Sequence, residues 1–362
     1  GAKDAAPALP GTWLLICDPS PEVTSRLAPL VAWRERKGYP VRVATTGETG
    51  GSKEQIKAWI QNAWDTWDDP PEFVVLAGDA SGSWSIPTWN ETISTYHGEG
   101  DHPYVQLAGD DILADAHVGR LSFSQLSELE TIVAKMVGYE TQPPAGDPDW
   151  FTRACLTGDP YASGYSTVQV MQWIKSRLRE GGYSRIDTVF TQPFVSQMTS
   201  SLNSGVSLFA YRGIYGMSGW GVGNTLGLVN AGKLPFCVVI TCDTGSFQYG
   251  YSRSEAFLRV GTPEDPRGGI GCVGTATTGT HTRYNNCYTY GIFDGLLYRQ
   301  AWEMGAAHTW GKLNLWRNYA DTEYGAVVRF SYWNNLMGDP AGEVWTAAPR
   351  TLAVTHLSLI HI

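Results

Sequence analysis

Cys242 stands just past the apolar run Phe236-Cys237-Val238-Val239-Ile240-Thr241 and opens the loop Cys242-Asp243-Thr244-Gly245. An α/β enzyme keeps a nucleophile at the C-terminal end of a buried strand, and the small polar residues beyond Cys242 leave its sulfur accessible. Such a thiol needs a base, a cationic neighbour or a helix terminus to become a thiolate near neutral pH. A second apolar run, Val206 to Tyr211, opens into Arg212-Gly213-Ile214-Tyr215-Gly216. This neighbouring loop carries no histidine, and Ile214 stands at its tip. A histidine does occur in the loop after the next strand, as His281 between Thr280 and Thr282. Adjacent parallel strands lie about 4.8 Å apart, so that loop reaches the same edge, where a neutral imidazole can take the thiol proton. Arg283 beside it can hold an anionic thiolate or select an acidic substrate group. A buried spectator cysteine and a histidine bonded to nearby threonines are the bland alternatives.

Carboxylates form a second cluster, with Asp79 at a strand end, then Gly109-Asp110-Asp111 and Asp115. Hard cations such as calcium take several oxygens from carboxylates and main-chain carbonyls, whereas a solvated turn would use the same residues without a metal. The spacing does not match an EF-hand loop. The six cysteines show no paired C-x-x-C spacing, so a zinc site is not indicated. Cys237 and Cys242 lie along one extended run, roughly 16 Å apart, and cannot bridge each other. Gly221-x-Gly223 lacks the strand-turn-helix setting of a dinucleotide loop.

The elements that must position these residues alternate between strand and helix patterns. Strands are predicted at Thr12–Cys17, Val41–Ala44, Phe73–Ala77 and His117–Leu121. Helices are predicted at Ser25–Lys37, Lys53–Trp67 and Leu126–Thr141, the last two capped by Ser52 and Ser124. Pro143 to Asp149 is a linker. Beyond it the strands are Phe151–Thr157, Arg185–Phe190, the two runs above and Gly269–Gly274. The helices there are Val168–Glu180, Ser254–Val260 and Gly291–Gly305. This alternation builds parallel sheets flanked by helices, an α/β fold. At 362 residues with 43% hydrophobic and 17% charged side chains, the chain is globular. Its net charge of -9 argues against a nucleic-acid partner, and no apolar run is of membrane-spanning length.

The ordered set of motifs resembles the gingipain-type cysteine peptidases of the caspase-like clan over nearly the whole chain. The first half carries Leu27-Ala28-Pro29-Leu30-Val31-Ala32-Trp33-Arg34-Glu35-Arg36-Lys37-Gly38-Tyr39, Val74-Val75-Leu76-Ala77-Gly78-Asp79 and Val118-Gly119-Arg120-Leu121. The second half carries Leu234-Pro235-Phe236, Thr241 to Phe247, Ser254-Glu255-Ala256-Phe257-Leu258-Arg259 and Met337-Gly338-Asp339-Pro340. The resemblance implies two subdomains, residues 1–142 and 150–348 joined by linker 143–149, and a cysteine endopeptidase with Cys242 as nucleophile. It also implies a structural calcium ion on Asp79, Asp111, Asp115 and the carbonyls of Ala108 and Leu113. The family's Gly-His-Gly loop aligns with Gly213-Ile214-Tyr215, so Ile214 replaces the usual histidine. The backbone donor of Tyr215 survives for an oxyanion. His281 then becomes the relocated base, and a catalytically inactive binding or structural homologue is the alternative. Asp159 is a candidate for the acidic residue of a substrate pocket. A peptide or protein substrate, a monomeric catalytic unit and an extracellular or cell-surface setting on a longer secreted chain are expected. Residues 349–356 are expected to begin an immunoglobulin-like domain, and 357–362 match a translated sequencing-library transposon end.

Overall fold

Twelve strands are named in chain order in a computed structural model that describes residues 10–350, Ser94 excepted. They are β1 (Thr12–Cys17), β2 (Val41–Thr45), β3 (Pro71–Ala77), β4 (Trp89–Ile93), β5 (Tyr96–Gly100) and β6 (His117–Leu121). The second half holds β7 (Arg153–Gly158), β8 (Arg185–Val189), β9 (Leu208–Arg212), β10 (Phe236–Val239), β11 (Gly271–Thr275) and β12 (Asn334–Met337). Ten of them form one sheet, in the order β2-β1-β3-β6-β12-β11-β10-β9-β7-β8. Continuous apolar runs such as Thr12–Cys17 are buried along their whole length, as a parallel strand covered on both faces requires. The two expected halves therefore meet in a continuous sheet, with helices on its faces. Residues 351–362 lie outside the described residues, so the expected following domain and the transposon-like end do too, apart from the first two positions of 349–356.

β12 decides how the halves relate. It pairs parallel with β6 at Met337 and Arg120 but antiparallel with β11, where Cys272 opposes Met337. The strands of the two halves consequently run in opposite directions, and their carboxyl ends lie at opposite edges of the sheet. Loops leaving β9, β10 and β11 converge on one edge; the loop after β3 leaves from the other.

Most predicted elements are present with ends moved by one to four residues. Ser52 caps the helix Lys53–Thr66 in a reciprocal box with Gln55, through bonds of 3.1 and 3.2 Å. The helix Leu126–Thr141 is capped at Gln125, while Ser124 donates its backbone N–H to Glu128. One expectation fails. In place of a helix over Gly291–Gly305 there are two, Thr282–Tyr298 and Met304–Trp333. The glycines read as helix ends are contact points: a Cβ on Gly291 would sit 2.5 Å from Cβ of Asn314 and 2.8 Å from the Trp310 carbonyl. These two helices need bare backbone where they cross. The β4–β5 hairpin and β12 were also not foreseen.

Buried ion pairs join distant segments. Arg34, wholly buried, bonds the equally buried Asp339 at 2.8 Å, and Trp13 donates its indole N–H to Asp339 at 3.0 Å. The closing Gly-Asp-Pro motif thus clamps the helix Pro21–Arg36 and β1. Arg120 grips Asp101 with bonds of 2.7 and 2.8 Å.

Candidate active site

The turn that presents Cys242 is fixed by main-chain and hydroxyl bonds. Thr244 Oγ1 donates to the carbonyls of Val239 and Thr241, at 2.8 and 2.9 Å. Asp243 and Gly245 donate their N–H groups to Thr277 and Thr275. Gly245 crosses the backbone of Gly274 so closely that a Cβ would lie 2.6 Å from its carbonyl carbon. Asp243 takes a φ of 57°, a left-handed conformation rare for a residue with a side chain. Strain of this kind clusters at functional sites, here one residue past the thiol. Cys242 itself is half-buried, and its Sγ lies 2.9 Å from Thr280 Oγ1. Thr280 Oγ1 also receives the Asn285 amide N–H at 3.2 Å.

The loop after β9 docks against the same turn, because Thr241 Oγ1 donates to the Gly213 carbonyl at 2.9 Å. Gly213 must be glycine: a Cβ would lie 2.5 Å from the Tyr211 hydroxyl and 2.7 Å from Asp159 Cβ. Ile214 and Tyr215 point outward, 38% and 56% exposed. Among the described residues, the N–H groups of Ile214, Tyr215 and Cys242 donate to nothing, so they are available to an oxyanion.

His281 is brought to this edge, but its ring is otherwise engaged. It is exposed and is the N-cap of the helix Thr282–Tyr298, where Nδ1 accepts the Arg283 N–H at 3.3 Å. In a neutral ring that bond puts the proton on Nε2, leaving no free lone pair for a thiol. Arg283 turns away from the cysteine. It pairs with Glu323 at 2.8 Å and lies over the Tyr284 ring at 4.6 Å, tying the two long helices together. Asp159 is buried beneath the Gly213 loop. Its Oδ1 accepts the Tyr161 N–H at 2.9 Å and its Oδ2 takes the Ser218 hydroxyl, so neither oxygen faces a free pocket.

The three carboxylates of the expected calcium site are not assembled. Asp79 pairs with Arg259 at 2.9 Å, and its other oxygen accepts the Ala80 N–H at 2.6 Å. A carboxylate beside a guanidinium is a poor cation ligand. Asp115 accepts the N–H groups of Leu107 and Ala108, at 2.7 and 2.8 Å, and Asp111 that of Leu113 at 2.8 Å. These two carboxylates close their own loop as turn acceptors. Among the described residues no group of three or more His, Cys, Asp or Glu is arranged to hold a metal ion. The residues present do not fit the expected calcium ion.

The sequence did not point to Glu99. The β4–β5 hairpin folds over the site, with Gly98 bridged to Thr277 and the Glu99 carboxylate accepting the N–H groups of Phe247 and Gln248, at 2.7 and 3.1 Å. Burial, with the nearby Asp243, pushes Glu99 up to about 7. Only the hairpin's pairing with a loop far along the chain creates this environment.

Residues 7–345 match the family model for Peptidase family C25. Gingipain R2 of Porphyromonas gingivalis is 26% identical over 258 residues, covering 67% of this chain and 34% of its own length. Gingipain R1 of the same species is 25% identical over 258 residues, covering 67% of this chain and 25% of its own length. The chain thus spans only a minor part of the curated relatives it matches. The crystal structure of the Arg-specific cysteine proteinase gingipain R shares the fold, with a TM-score of 0.83 at 19% identity over 94% of this chain and 80% of that one. A structure described as a protease gives 0.85 at 20% identity, over 97% and 82%. With the family match running over nearly all of the chain and the cysteine of the family motif on the turn after β10, this protein belongs to peptidase family C25, the gingipain-type cysteine peptidases.

Proposed function

We propose that the chain is a cysteine endopeptidase whose Cys242 sulfur attacks the peptide carbonyl, with His281 as base after it leaves its cap. The observation that carries this reading is the Cys242–Thr280 contact of 2.9 Å, which puts the sulfur against the residue that precedes His281 in sequence. The bond holding His281 is long and solvent-exposed. Losing a cap of this kind costs about 1 kcal/mol, little against the barrier that general-base catalysis removes. Sulfur would add to the carbonyl carbon while the N–H groups of Cys242, Ile214 and Tyr215 receive the oxyanion. The thiol proton would pass through the imidazole to the leaving amine, giving an acyl-enzyme for water to hydrolyse. The substrate in this reading is a peptide or protein, and the setting outside the cell is the one the family resemblance implies.

A second reading has its own observation. Ile214 cannot move a proton, and the capped tautomer of His281 cannot accept one. A homologue that grips polypeptide at this edge without cleaving it follows directly. Fluorogenic peptides and a peptidyl acyloxymethyl ketone separate the two readings. The endopeptidase cleaves and is labelled at Cys242, and His281→Ala loses cleavage by at least about 10²-fold. Cleavage unchanged in His281→Ala removes the relocated base; no cleavage or labelling by wild type leaves the silent homologue.

A further inference from the structure

We infer that the Thr280 hydroxyl is a further catalytic group, held by the Asn285 side chain so that it donates a hydrogen bond to the Cys242 sulfur when the thiol proton leaves. This deepens the reading of Cys242 as a nucleophile and rests on it. Among the described residues, Thr280 Oγ1 is the one hydrogen-bond partner of Cys242 Sγ, at 2.9 Å, and either atom can be the donor. A threonine hydroxyl has one hydrogen and two lone pairs, and the Asn285 Nδ2–H group occupies one of those lone pairs at 3.2 Å. The hydroxyl can therefore accept the S–H group on its remaining lone pair, or turn its own hydrogen to the sulfur. A sulfur that has lost its proton only accepts, so the second arrangement follows proton transfer.

Thr280 is held without help from the His281 ring. Its N–H donates to the Thr278 carbonyl at 2.9 Å, and that of Gly279 donates to Thr277 Oγ1 at 3.0 Å. The β4–β5 hairpin braces the same loop. Thr277 Oγ1 donates to the His97 carbonyl at 2.7 Å, and the Tyr96 ring fills the place a Cβ on Gly279 would take. Asn285 belongs to the first turn of the helix Thr282–Tyr298, where its N–H donates to the His281 carbonyl at 3.1 Å. That bond is main-chain. When the imidazole leaves its cap to take the proton, the hydroxyl stays beside the sulfur.

Asn285 does little else. It is 3% exposed, its amide makes a single side-chain hydrogen bond, to Thr280, and its Oδ1 has no partner. A buried amide left half-satisfied destabilises the fold, and a role at the site accounts for its presence. In the reaction the S–H bond breaks, its proton goes to the His281 imidazole and its electron pair stays on sulfur. Thr280 Oγ1–H then donates to the anionic sulfur, a charge-assisted bond roughly twice as strong as a neutral one. Another sulfur lone pair forms the bond to the carbonyl carbon, whose π electrons move to oxygen. Holding one side of the sulfur fixes the direction of that attack.

Two rates measured near neutral pH test this. Iodoacetamide alkylation of Cys242, followed by mass spectrometry, reads the sulfur without any peptide, and turnover of fluorogenic peptides reads the peptidase. Thr280→Val keeps the branched shape and removes the hydroxyl. In it alkylation slows at least about tenfold and kcat falls as far, while KM stays. Thr280→Ser, which keeps the hydroxyl, restores most of both rates. Asn285→Leu, which releases the hydroxyl to turn away, slows both and decides the matter if Thr280→Val does not fold. Wild-type rates in Thr280→Val or in Asn285→Leu overturn the inference, even where peptides are cleaved. So do equal losses in Thr280→Val and Thr280→Ser, or a wild-type Cys242 that is not alkylated. Alkylation that follows the hydroxyl, without peptide turnover by wild type, would remove the peptidase reading and leave the hydroxyl's hold on the sulfur standing.

Discussion

The position of Cys242 was legible because its signals are local: an apolar run for the strand, then small polar residues that close a tight turn. Ile214 was legible for the same reason, as a departure within a short loop. What His281 does was not. Its role follows from where the next helix starts, and it became the cap of Thr282–Tyr298 while Thr280 took the sulfur. Glu99 was invisible because its partners at Phe247 and Gln248 lie 148 and 149 residues away in sequence. Its titration gives a residue-scale prediction. The folded state raises Glu99 from the ordinary 4.5 to about 7, so it binds the proton more tightly than the unfolded chain does. Wild type should therefore lose stability as pH rises from 4.5 through 7. Glu99→Gln keeps an acceptor for both N–H groups and escapes that loss. In urea denaturation its advantage over wild type should grow by on the order of 2–3 kcal/mol between pH 5 and pH 8. An advantage that shrinks with pH would show that the carboxyl is not held protonated.

At the scale of elements, continuous apolar strands and capping boxes were read well, since each is written in consecutive residues. Glycine misled. Gly291 and Gly305 suggested the ends of one helix, yet Gly291 lies inside the first of two helices and meets the second backbone to backbone. Sequence alone does not distinguish a glycine that ends a helix from one that admits a neighbour. Gly291→Ala should destabilise the protein by about 1–3 kcal/mol, despite the better helix propensity of alanine, because the new methyl overpacks Asn314 and Trp310. Thermal unfolding decides the sign. A stabilised variant would mean that the helices can part at little cost.

Over the whole molecule, the motifs that carried the family resemblance serve mostly to bind distant segments. Asp339 holds Arg34 and Trp13; Arg259 holds Asp79 and Glu255; Arg120 holds Asp101. The sequence offered Asp79 as a metal ligand because its strand ends there, but the reversal at β12 sets that end opposite the cysteine and beside Arg259. Asp339→Ala should cost about 2–4 kcal/mol, read as a fall in the denaturation midpoint, because it leaves the buried Arg34 guanidinium to Glu140 alone and the Trp13 N–H without its acceptor. The site at the other edge poses the central question: whether a C25 fold without histidine in its usual loop still cleaves. The most direct measurement is the turnover of fluorogenic peptides by wild type, Cys242→Ala and His281→Ala under identical conditions. The proposed function predicts cleavage by wild type, none by Cys242→Ala and a loss of at least about 10²-fold in His281→Ala. Wild-type cleavage that survives Cys242→Ala, or no cleavage by well-folded wild type, would contradict it.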